Sequence, residues 1–199
     1  MSEHWPTYLQ EGELLLRPLR IRDRRSWLRV RAANKDWLTE WEATLPQVPG
    51  EKIATQLPSF SEMVNWHRRE GRNGRSYSLA IWHLNSQEGK EKGRNLIGQI
   101  TMGGVSFGAM RGAHIGYWID RAYANRGFTT QAVNMLTRFG FEELALHRIE
   151  INIRPENAPS IKVAEKAGYI FEGLRPRYLH IDGKWRDHHC YVKENSQVI

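Results

Sequence analysis

The stretch Tyr123–Ala132, YANRGFTTQA, combines residue types that could hold an anion. Gly127 stands directly before a run that could start a helix, where the first amide N–H groups have no partner and the helix dipole adds positive charge. A glycine lets a phosphate approach the backbone, and Arg126 adds a full charge. Thr129 and Thr130 offer hydroxyl donors. The segment predicts a site for a phosphate-bearing cofactor; an ordinary turn or helix cap is the alternative.

Other familiar binding motifs are missing. The sequence contains no G-x-x-x-x-G-K-[ST] and no G-x-G-x-x-G after a strand, so ATP and dinucleotide binding are not favoured. His188, His189 and Cys190 are neighbours, but adjacent strand residues point to opposite faces and no second ligand pair has suitable spacing. We therefore predict no metal site.

Strand and helix patterns alternate around the glycine. Helices are predicted from Asp23, over Ser59–Arg72, from Arg126 to Leu144, and after a cap at Asn157. The predicted strands are Glu13–Leu19, Tyr77–Leu84, Leu96–Phe107, Ala113–Asp120 and His147–Arg154, followed by a hairpin that turns at Asp182-Gly183. Residues 34–58 suit an irregular or briefly helical connection, and residues 85–95 a polar turn. The pattern predicts an α/β fold with a mixed sheet.

Composition limits the class of protein. A chain of 199 residues with 40% hydrophobic residues fits one domain, residues 1–199. We find no signal-peptide pattern and no apolar run long enough to cross a membrane. The lone Cys190 excludes an intramolecular disulfide. We expect a soluble cytoplasmic protein with no membrane partner.

Motifs over much of the chain resemble those of one family. In order they are WLTEWEATLP, GYWID, RGFTTQA, LHRIEI, NAPS, EKAGYIFEG and IDGKWRDH. The chain resembles the GNAT acyltransferases, and within them the ribosomal-protein N-acetyltransferases of the RimJ and RimL type. The resemblance implies a mixed, mostly antiparallel sheet of about seven strands with about four helices. It also implies acetyl-CoA as co-substrate, with no metal.

The resemblance assigns acetyl-CoA to the glycine loop and its surroundings. The family loop reads Q/R-x-x-G-x-G/A, whereas Ala124 and Thr129 occupy its first and last positions here. The predicted cofactor-binding residues are Trp118, Ile119, Asn125, Arg126, Gly127, Phe128, Thr129, Thr130, Asn157 and Ser160.

The implied reaction is direct attack of a neutral amine on the acetyl carbonyl. Backbone N–H groups near Trp118 and Ile119 could polarise the carbonyl. His114 is the predicted base, where relatives often carry Glu; Glu150 and a water chain are alternatives. Ser160 is predicted to hydrogen-bond the departing sulfur, a plain helix-start serine being the alternative.

Two further family positions differ. Many relatives place a tyrosine where this chain has Ala164, and a carboxylate where it has Arg177. These changes leave no obvious strong base. Since an α-amine of pKa about 7.8 is roughly one-seventh neutral at pH 7, but lysine only about one part in 2,500, we expect N-terminal amines as acceptors.

The acceptor and other partners follow from position and charge. Trp41 and Glu42 lie in the segment that borders the acceptor groove in the family, with Trp37 nearby; core packing and solvent exposure are the alternatives. The implied acceptor is a protein N-terminus, in particular that of a ribosomal protein. The net charge of +7, densest over Arg17–Arg31, indicates either a basic surface or weak ribosome or RNA association.

Three interpretations of the function remain at this point. The first is an N-acetyltransferase of protein N-termini, the second acetylation of a small amine such as an antibiotic or polyamine, and the third a CoA- or RNA-binding module without catalysis. The sequence does not decide between a monomer and a dimer.

Overall fold

One mixed sheet organises the chain. A computed structural model describes residues 2–50, 58–84 and 93–198. Within those ranges eight strands pair in the order β1-β2-β3-β4-β5-β6-β8-β7. The strands are β1 (Leu9–Glu11), β2 (Leu14–Arg17), β3 (Tyr77–Leu84), β4 (Arg94–Ser106), β5 (Gly112–Ile119), β6 (Arg148–Ile153), β7 (Ile170–Ile181) and β8 (Lys184–Glu194).

Five α-helices cover the two faces of the sheet within the described ranges. They are α1 (Arg24–Ala33), α2 (Lys35–Thr39), α3 (Phe60–Arg72), α4 (Phe128–Glu142) and α5 (Ala158–Lys166). Single 3-10 turns, Ile21–Asp23 and Arg121–Tyr123, precede α1 and the α4 loop. None of these helices is long and apolar enough to cross a membrane.

The α/β class and the mixed sheet are confirmed, while the counts differ slightly. Eight strands and five helices replace the expected seven and four because β1, of three residues, and α2, of five, are short. Elements of that length carry almost no periodic signal. Part of the predicted irregular connection (51–57) and most of the predicted polar turn (85–92) lie outside the described residues.

The sheet parts at one pair of strands. Every neighbouring pair is antiparallel except β5 and β6, which run parallel and are in register only at Gly112↔Arg148, Ala113↔Ile149 and His114↔Glu150. Beyond His114, β5 continues for five residues paired with β4 alone. The second half of β5 therefore leaves a gap on its β6 side.

The two faces of the sheet have separate cores. Helices α4 and α5 pack on one face, where Leu136, Ile100 and Ile115 are fully or almost fully buried. Helices α1 and α3 pack on the other, where Val30 and Val64 meet Trp82. These apolar positions recur at helical and alternating spacing, which is why the sequence predicted most of the elements.

A buried ion pair fixes the start of α1. Arg17 of β2, 1% exposed, donates two hydrogen bonds to Asp23 at 2.7 and 3.0 Å, and the Arg20 amide donates a third at 2.8 Å. Burial alone would raise the pKa of Asp23, but the bonds from Arg17 and Arg20 outweigh burial and lower it. Arg17, at the start of the arginine-rich stretch, therefore has a structural role, because it neutralises a buried aspartate.

Helix caps distinguish α4 from α3 and α5. Ser59 and Glu62 form a capping box at α3, and Asn157 caps α5 by accepting from the Ser160 amide at 3.1 Å. Helix α4 begins instead after Gly127, whose φ is +83° and which supplies no side-chain cap. Its first amides stay available to a ligand.

Candidate functional site

A single cavity of about 1310 Å³ occupies the gap between β5 and β6. One end reaches the N-termini of α4 and α5, and the other reaches the segment after α2. Eleven of the predicted site residues line it: Trp41, Glu42, His114, Trp118, Ile119, Asn125, Gly127, Thr129, Thr130, Asn157 and Ser160. Arg126 and Phe128 are not among its lining residues, because Arg126 lies over the rings of Tyr123 and Phe128 at 5.2 and 5.1 Å.

The loop before α4 is an open backbone cradle. Asn125 and Gly127 both have positive φ, +60° and +83°, and the space where a Gly127 side chain would begin is empty for 4 Å. The amides of Phe128, Thr129 and Thr130 start the helix and have no intrahelical acceptor. Such a turn of amides beside a helix N-terminus fits a phosphate or pyrophosphate group.

The end of β5 presents peptide amides to the cavity on the side where β6 is absent. Asp120 N–H donates to Ile97 O of β4 at 2.7 Å. Because backbone groups alternate sides along a strand, the Trp118 N–H also points toward β4, whereas the Ile119 N–H points into the gap. Of the two predicted amides, Ile119 is therefore the one positioned to polarise a carbonyl, and Trp118 contributes its ring to the cavity wall.

His114 sits where the strands part. A Cβ added to Gly103 would lie 2.9 Å from His114 Nε2, and one added to Gly104 2.9 Å from Cε1, so the imidazole rests against both glycines. Partial burial lowers the pKa of His114 below its usual value, and the charge of nearby Glu150 opposes that shift. The net shift is downward, which keeps the imidazole neutral and able to accept a proton at pH 7. The paired glycines are a signal that the sequence reading missed.

Glu150 is held as a permanent anion. It pairs with Arg148 at 3.1 Å and Arg175 at 2.7 Å. Burial by itself raises the pKa of Glu150, but the two arginines outweigh it and lower the pKa. A carboxylate so strongly paired is a poor proton acceptor, and Glu150 is not among the residues that line the cavity.

Cys190 belongs to the same buried charge cluster. Its Sγ lies 3.7 Å from Glu172, which itself pairs with Arg148 at 2.8 Å. Burial raises the pKa of the Cys190 thiol to about 11, so it stays protonated near neutral pH. Ligand atoms of Glu150, Glu172 and Cys190 lie within 4.8 Å of one another, but both carboxylates already neutralise arginines.

The first turn of α5 and strand β5 each bring one hydroxyl-bearing residue to the cavity, Ser160 and Tyr117. Ser160 lines the cavity, and its backbone carbonyl accepts the Tyr117 hydroxyl at 3.2 Å. Burial raises the pKa of Tyr117, so this phenol remains a donor. Ala164 is fully buried and carries no donor. Tyr117 was missed because its place in a strand pattern indicates only core packing.

The segment after α2 forms the opposite wall, which we call the acceptor wall (residues 40–43). Arg154 lies over the Trp41 ring at 4.9 Å and donates to Glu40 O at 2.7 Å. Glu42, whose side chain is 40% exposed, forms an ion pair with Arg31 of α1. Trp41 and Glu42 thus both line the cavity, but Glu42 already has a cationic partner.

Several lining residues escaped the sequence reading. They are Arg31, Gln99, Thr101, Asn134, Lys162 and Lys166. Lys162 and Lys166 stand four residues apart on α5, a spacing that puts both on one side of the helix and gives the only signal that could have found them. Arg177, at the position where relatives carry a carboxylate, has a φ of +50° and donates its amide to Asp187 at 2.7 Å; it does not line the cavity.

Known proteins share both sequence and architecture with this chain. Residues 13–170 match the model of the acetyltransferase (GNAT) domain. RimJ of Mycobacterium smegmatis, solved with a CoA-disulfide, is 34% identical with a TM-score of 0.82, over 100% of this chain and 92% of that one. The [ribosomal protein uS5]-alanine N-acetyltransferase of Escherichia coli is 26% identical over 176 residues, 84% of this chain and 81% of that protein.

A more distant structure has the same fold. The ribosomal-protein-S5-alanine acetyltransferase of Vibrio fischeri is 22% identical with a TM-score of 0.79, over 97% of this chain and 99% of that one. The family match covers well over half of the chain, and the glycine cradle, the parted strands and the caps agree with it. The chain belongs to the GNAT family and is an N-acetyltransferase whose acetyl donor is acetyl-CoA.

Proposed function

We propose that the whole chain, residues 1–199, acts as one enzyme that acetylates the N-terminal α-amine of a protein. The observation that carries the proposal is the continuous cavity, which runs from the amides of α4 past His114 to the acceptor wall. One ligand space thus reaches the cofactor cradle, a neutral base and a wall on which a peptide can lie. A site for a small free amine needs no such extended wall.

The charges around His114 favour an α-amine over lysine. Among the described residues the cavity is lined by three carboxylates, of which Glu11 pairs with Arg138 and Glu42 with Arg31, while Glu40 lies on the acceptor wall. Within the part of the chain that the structure describes, no other carboxylate lines the cavity. An amine that is already roughly one-seventh neutral at pH 7 needs less help than a lysine that is about one part in 2,500 neutral.

The cradle residues would hold the cofactor. The amides of Phe128, Thr129 and Thr130 and the loop Asn125–Gly127 suit the pyrophosphate, and Lys162 and Lys166 add positive charge along the same cavity. When bound, acetyl-CoA supplies a thioester carbonyl that an amine can attack. Arg126 contributes positive electrostatic potential rather than a direct contact with the cofactor, since its guanidinium lies on two aromatic rings.

The protein's own groups would complete the transfer. Ile119 N–H donates to the carbonyl oxygen as it gains negative charge. His114 lies five residues before Ile119 on β5, so it would take the proton that the amine loses through a chain of water molecules, as the C–N bond forms and the C–S bond breaks. The Ser160 hydroxyl stabilises the departing thiolate, while the Tyr117 phenol donates to the Ser160 carbonyl and holds the first turn of α5 in place.

The acceptor class is proposed from the relatives and from the basic surface. The uS5-alanine N-acetyltransferase of Escherichia coli and the S5-alanine acetyltransferase of Vibrio fischeri modify a ribosomal protein by name, so we propose a ribosomal protein as acceptor. Arg22 of the 3-10 turn before α1 and Arg25 and Arg29 of α1, which we together call the α1 arginines, are exposed. The one acidic residue between 17 and 33 is Asp23, which is buried against Arg17. The α1 arginines suit weak contact with ribosomal RNA.

The acceptor preference is tested with a peptide panel. Peptides that start with Ala, Ser or Thr should be acetylated faster than N-terminally blocked lysine peptides or polyamines, because their amines are more often neutral. Release of the CoA thiol measures turnover. Faster acetylation of lysine peptides would overturn the α-amine proposal, and turnover of polyamines alone would favour the small-amine interpretation.

Gly127→Ala should weaken CoA binding more than it weakens the fold. Alanine at positive φ costs about 1–2 kcal/mol of stability, and its methyl group enters the cradle. Gly183→Ala is the matched control, because Gly183 also has positive φ (+74°) with nothing within 4 Å but lies in the β7–β8 turn. Both variants should lose similar stability in thermal melts, and calorimetry should show about tenfold weaker CoA binding for Gly127→Ala only. Equal CoA affinities would remove the cradle from the cofactor site.

His114→Gln should remove a pH-dependent step. In the wild type, kcat/KM should rise with pH through a midpoint below about 6.5, since the lowered pKa of His114 leaves the base neutral above that point. The variant should lose this rise of kcat/KM with pH, and its rate should fall by about 10²- to 10⁴-fold. Glu150→Gln removes a charge that raises the pKa of His114, so this variant should keep activity while the midpoint of the rise moves to lower pH. Inactive Glu150→Gln enzyme with an active His114→Gln would make Glu150 the base.

Ribosome association should depend on salt and on the α1 arginines. Wild-type protein should co-sediment with ribosomes at low salt and lose most of this binding at high salt, because displaced counterions drive it. The R22E/R25E/R29E variant should fail to co-sediment at low salt while acetylating short peptides normally; K184E, a charge reversal at the far hairpin, should behave as wild type. Unchanged co-sedimentation at both salt concentrations would contradict the electrostatic contact.

A further inference from the structure

A buried amide joins the corner between α1 and α2 to the end of β5. Asn34, 3% exposed, donates from Nδ2 to Val30 O at 2.9 Å and to Asp120 Oδ1 at 3.0 Å. Its Oδ1 accepts the Arg121 N–H at 2.9 Å. Every N–H of this amide group has an acceptor and its oxygen has a donor, so the side chain has one favoured orientation.

Trp37, one turn further on, holds the neighbouring peptide. Its Nε1 donates to Ile119 O at 3.3 Å, and the Arg121 guanidinium lies 5.6 Å from the centre of its ring. Together Asn34 and Trp37 therefore contact three consecutive residues, Ile119 to Arg121. We call Asn34 and Trp37 the corner residues.

The three residues that Asn34 and Trp37 contact include the Ile119 amide and lie directly before the cofactor cradle. Ile119 carries the amide that points into the gap. Asp120 caps the 3-10 turn by accepting from the Ala122 amide at 3.1 Å, and that turn runs into the Asn125–Gly127 cradle. On the other side of the corner, α2 ends at Thr39, directly before the acceptor wall.

We propose that Asn34 and Trp37 are positioning residues that fix where the Ile119 amide and the cofactor cradle lie relative to α1 and α2. They act through Ile119, Asp120 and Arg121 and need not touch the acetyl group. The inference rests on the proposed role of the cradle in holding CoA. Its physical reason is that neither apolar core specifies the angle of a turn, whereas directed hydrogen bonds from one buried amide do.

Removing either donor should weaken CoA binding in a folded protein. Asn34→Ala leaves the Arg121 amide and the Asp120 carboxylate without their partner, and Trp37→Phe keeps an aromatic ring but deletes the Nε1 donor. We expect about tenfold weaker CoA binding by calorimetry for each, as for other lost buried hydrogen bonds. Matched controls are Asn73→Ala, at the exposed C-terminus of α3, and Trp66→Phe, whose ring is 47% exposed on α3.

Thermal melts of the same variants separate positioning from folding. If Asn34→Ala and Trp37→Phe melt at lower temperature but bind CoA as the wild type does, the corner is structural only and the inference fails. If the wild type binds no CoA, the proposed cradle itself fails, and that result is distinct from equal binding by wild type and variants.

A charge exchange tests the Asn34–Asp120 contact directly. Asn34→Asp places two carboxylates side by side and should weaken CoA binding at least as much as Asn34→Ala. Adding Asp120→Asn supplies an amide donor opposite the new carboxylate, so the N34D/D120N double variant should regain part of the lost affinity. A double variant no better than Asn34→Asp would show that this contact does not position the cradle.

Discussion

The short parallel pairing of β5 with β6 is the constraint on which the rest of the site depends. Three residue pairs hold the strands together, after which β5 continues against β4 alone. Because the strands are parallel, the helices that follow them, α4 and α5, both begin at the carboxyl end where the strands part. Ligands of open α/β sheets commonly bind at such a place, since helix N-termini and free strand amides face the same space. The cavity is a consequence of this topology.

Charge pairing decides which groups near the gap are free to react. Arg148 and Arg175 neutralise Glu150 and Glu172, and this network keeps both carboxylates engaged. His114, next to Glu150 in the register, has a lowered pKa, which favours its neutral imidazole. Charge pairing also occurs at the acceptor wall, where Arg31 and Glu42 form an ion pair. An incoming amine would have to compete with Arg31 for Glu42, which disfavours a strongly bound free cation and suits an acceptor held by several contacts along the wall.

A few polar side chains, rather than the hydrophobic core, connect the parts of the site. Apolar packing places α1 and α4 on opposite faces of the sheet but tolerates small rotations. Asn34 and Trp37 add directed bonds to Ile119, Asp120 and Arg121, and Arg154 ties the acceptor wall to the end of β6 through Glu40 and Trp41. The site is therefore assembled from segments far apart in the chain by a few satisfied polar side chains.

The sequence by itself determined the class of fold and the position of the Gly127 loop before α4. Apolar spacing in α3, α4 and α5 and alternation in β6 are local patterns, and the Gly127 loop is a local feature of backbone conformation. The ordered motifs also identified the family. Short β1 and α2 escaped because elements of three and five residues contain too few turns or alternations to show a period.

The tertiary structure decided which of the candidate residues meet, because that depends on register and on contacts between distant segments. Only the pairing of β4 with β5 shows that Ile119 rather than Trp118 turns its amide to the gap. Only the fold places Arg148 and Arg175 on Glu150, Tyr117 on Ser160, and Asn34 on Asp120. In the folded chain Arg126 and Phe128 are not among the residues that line the cavity, because Arg126 stacks on the Phe128 ring. The sequence could not predict this contact, since it has no pattern that specifies how a flexible arginine side chain stacks.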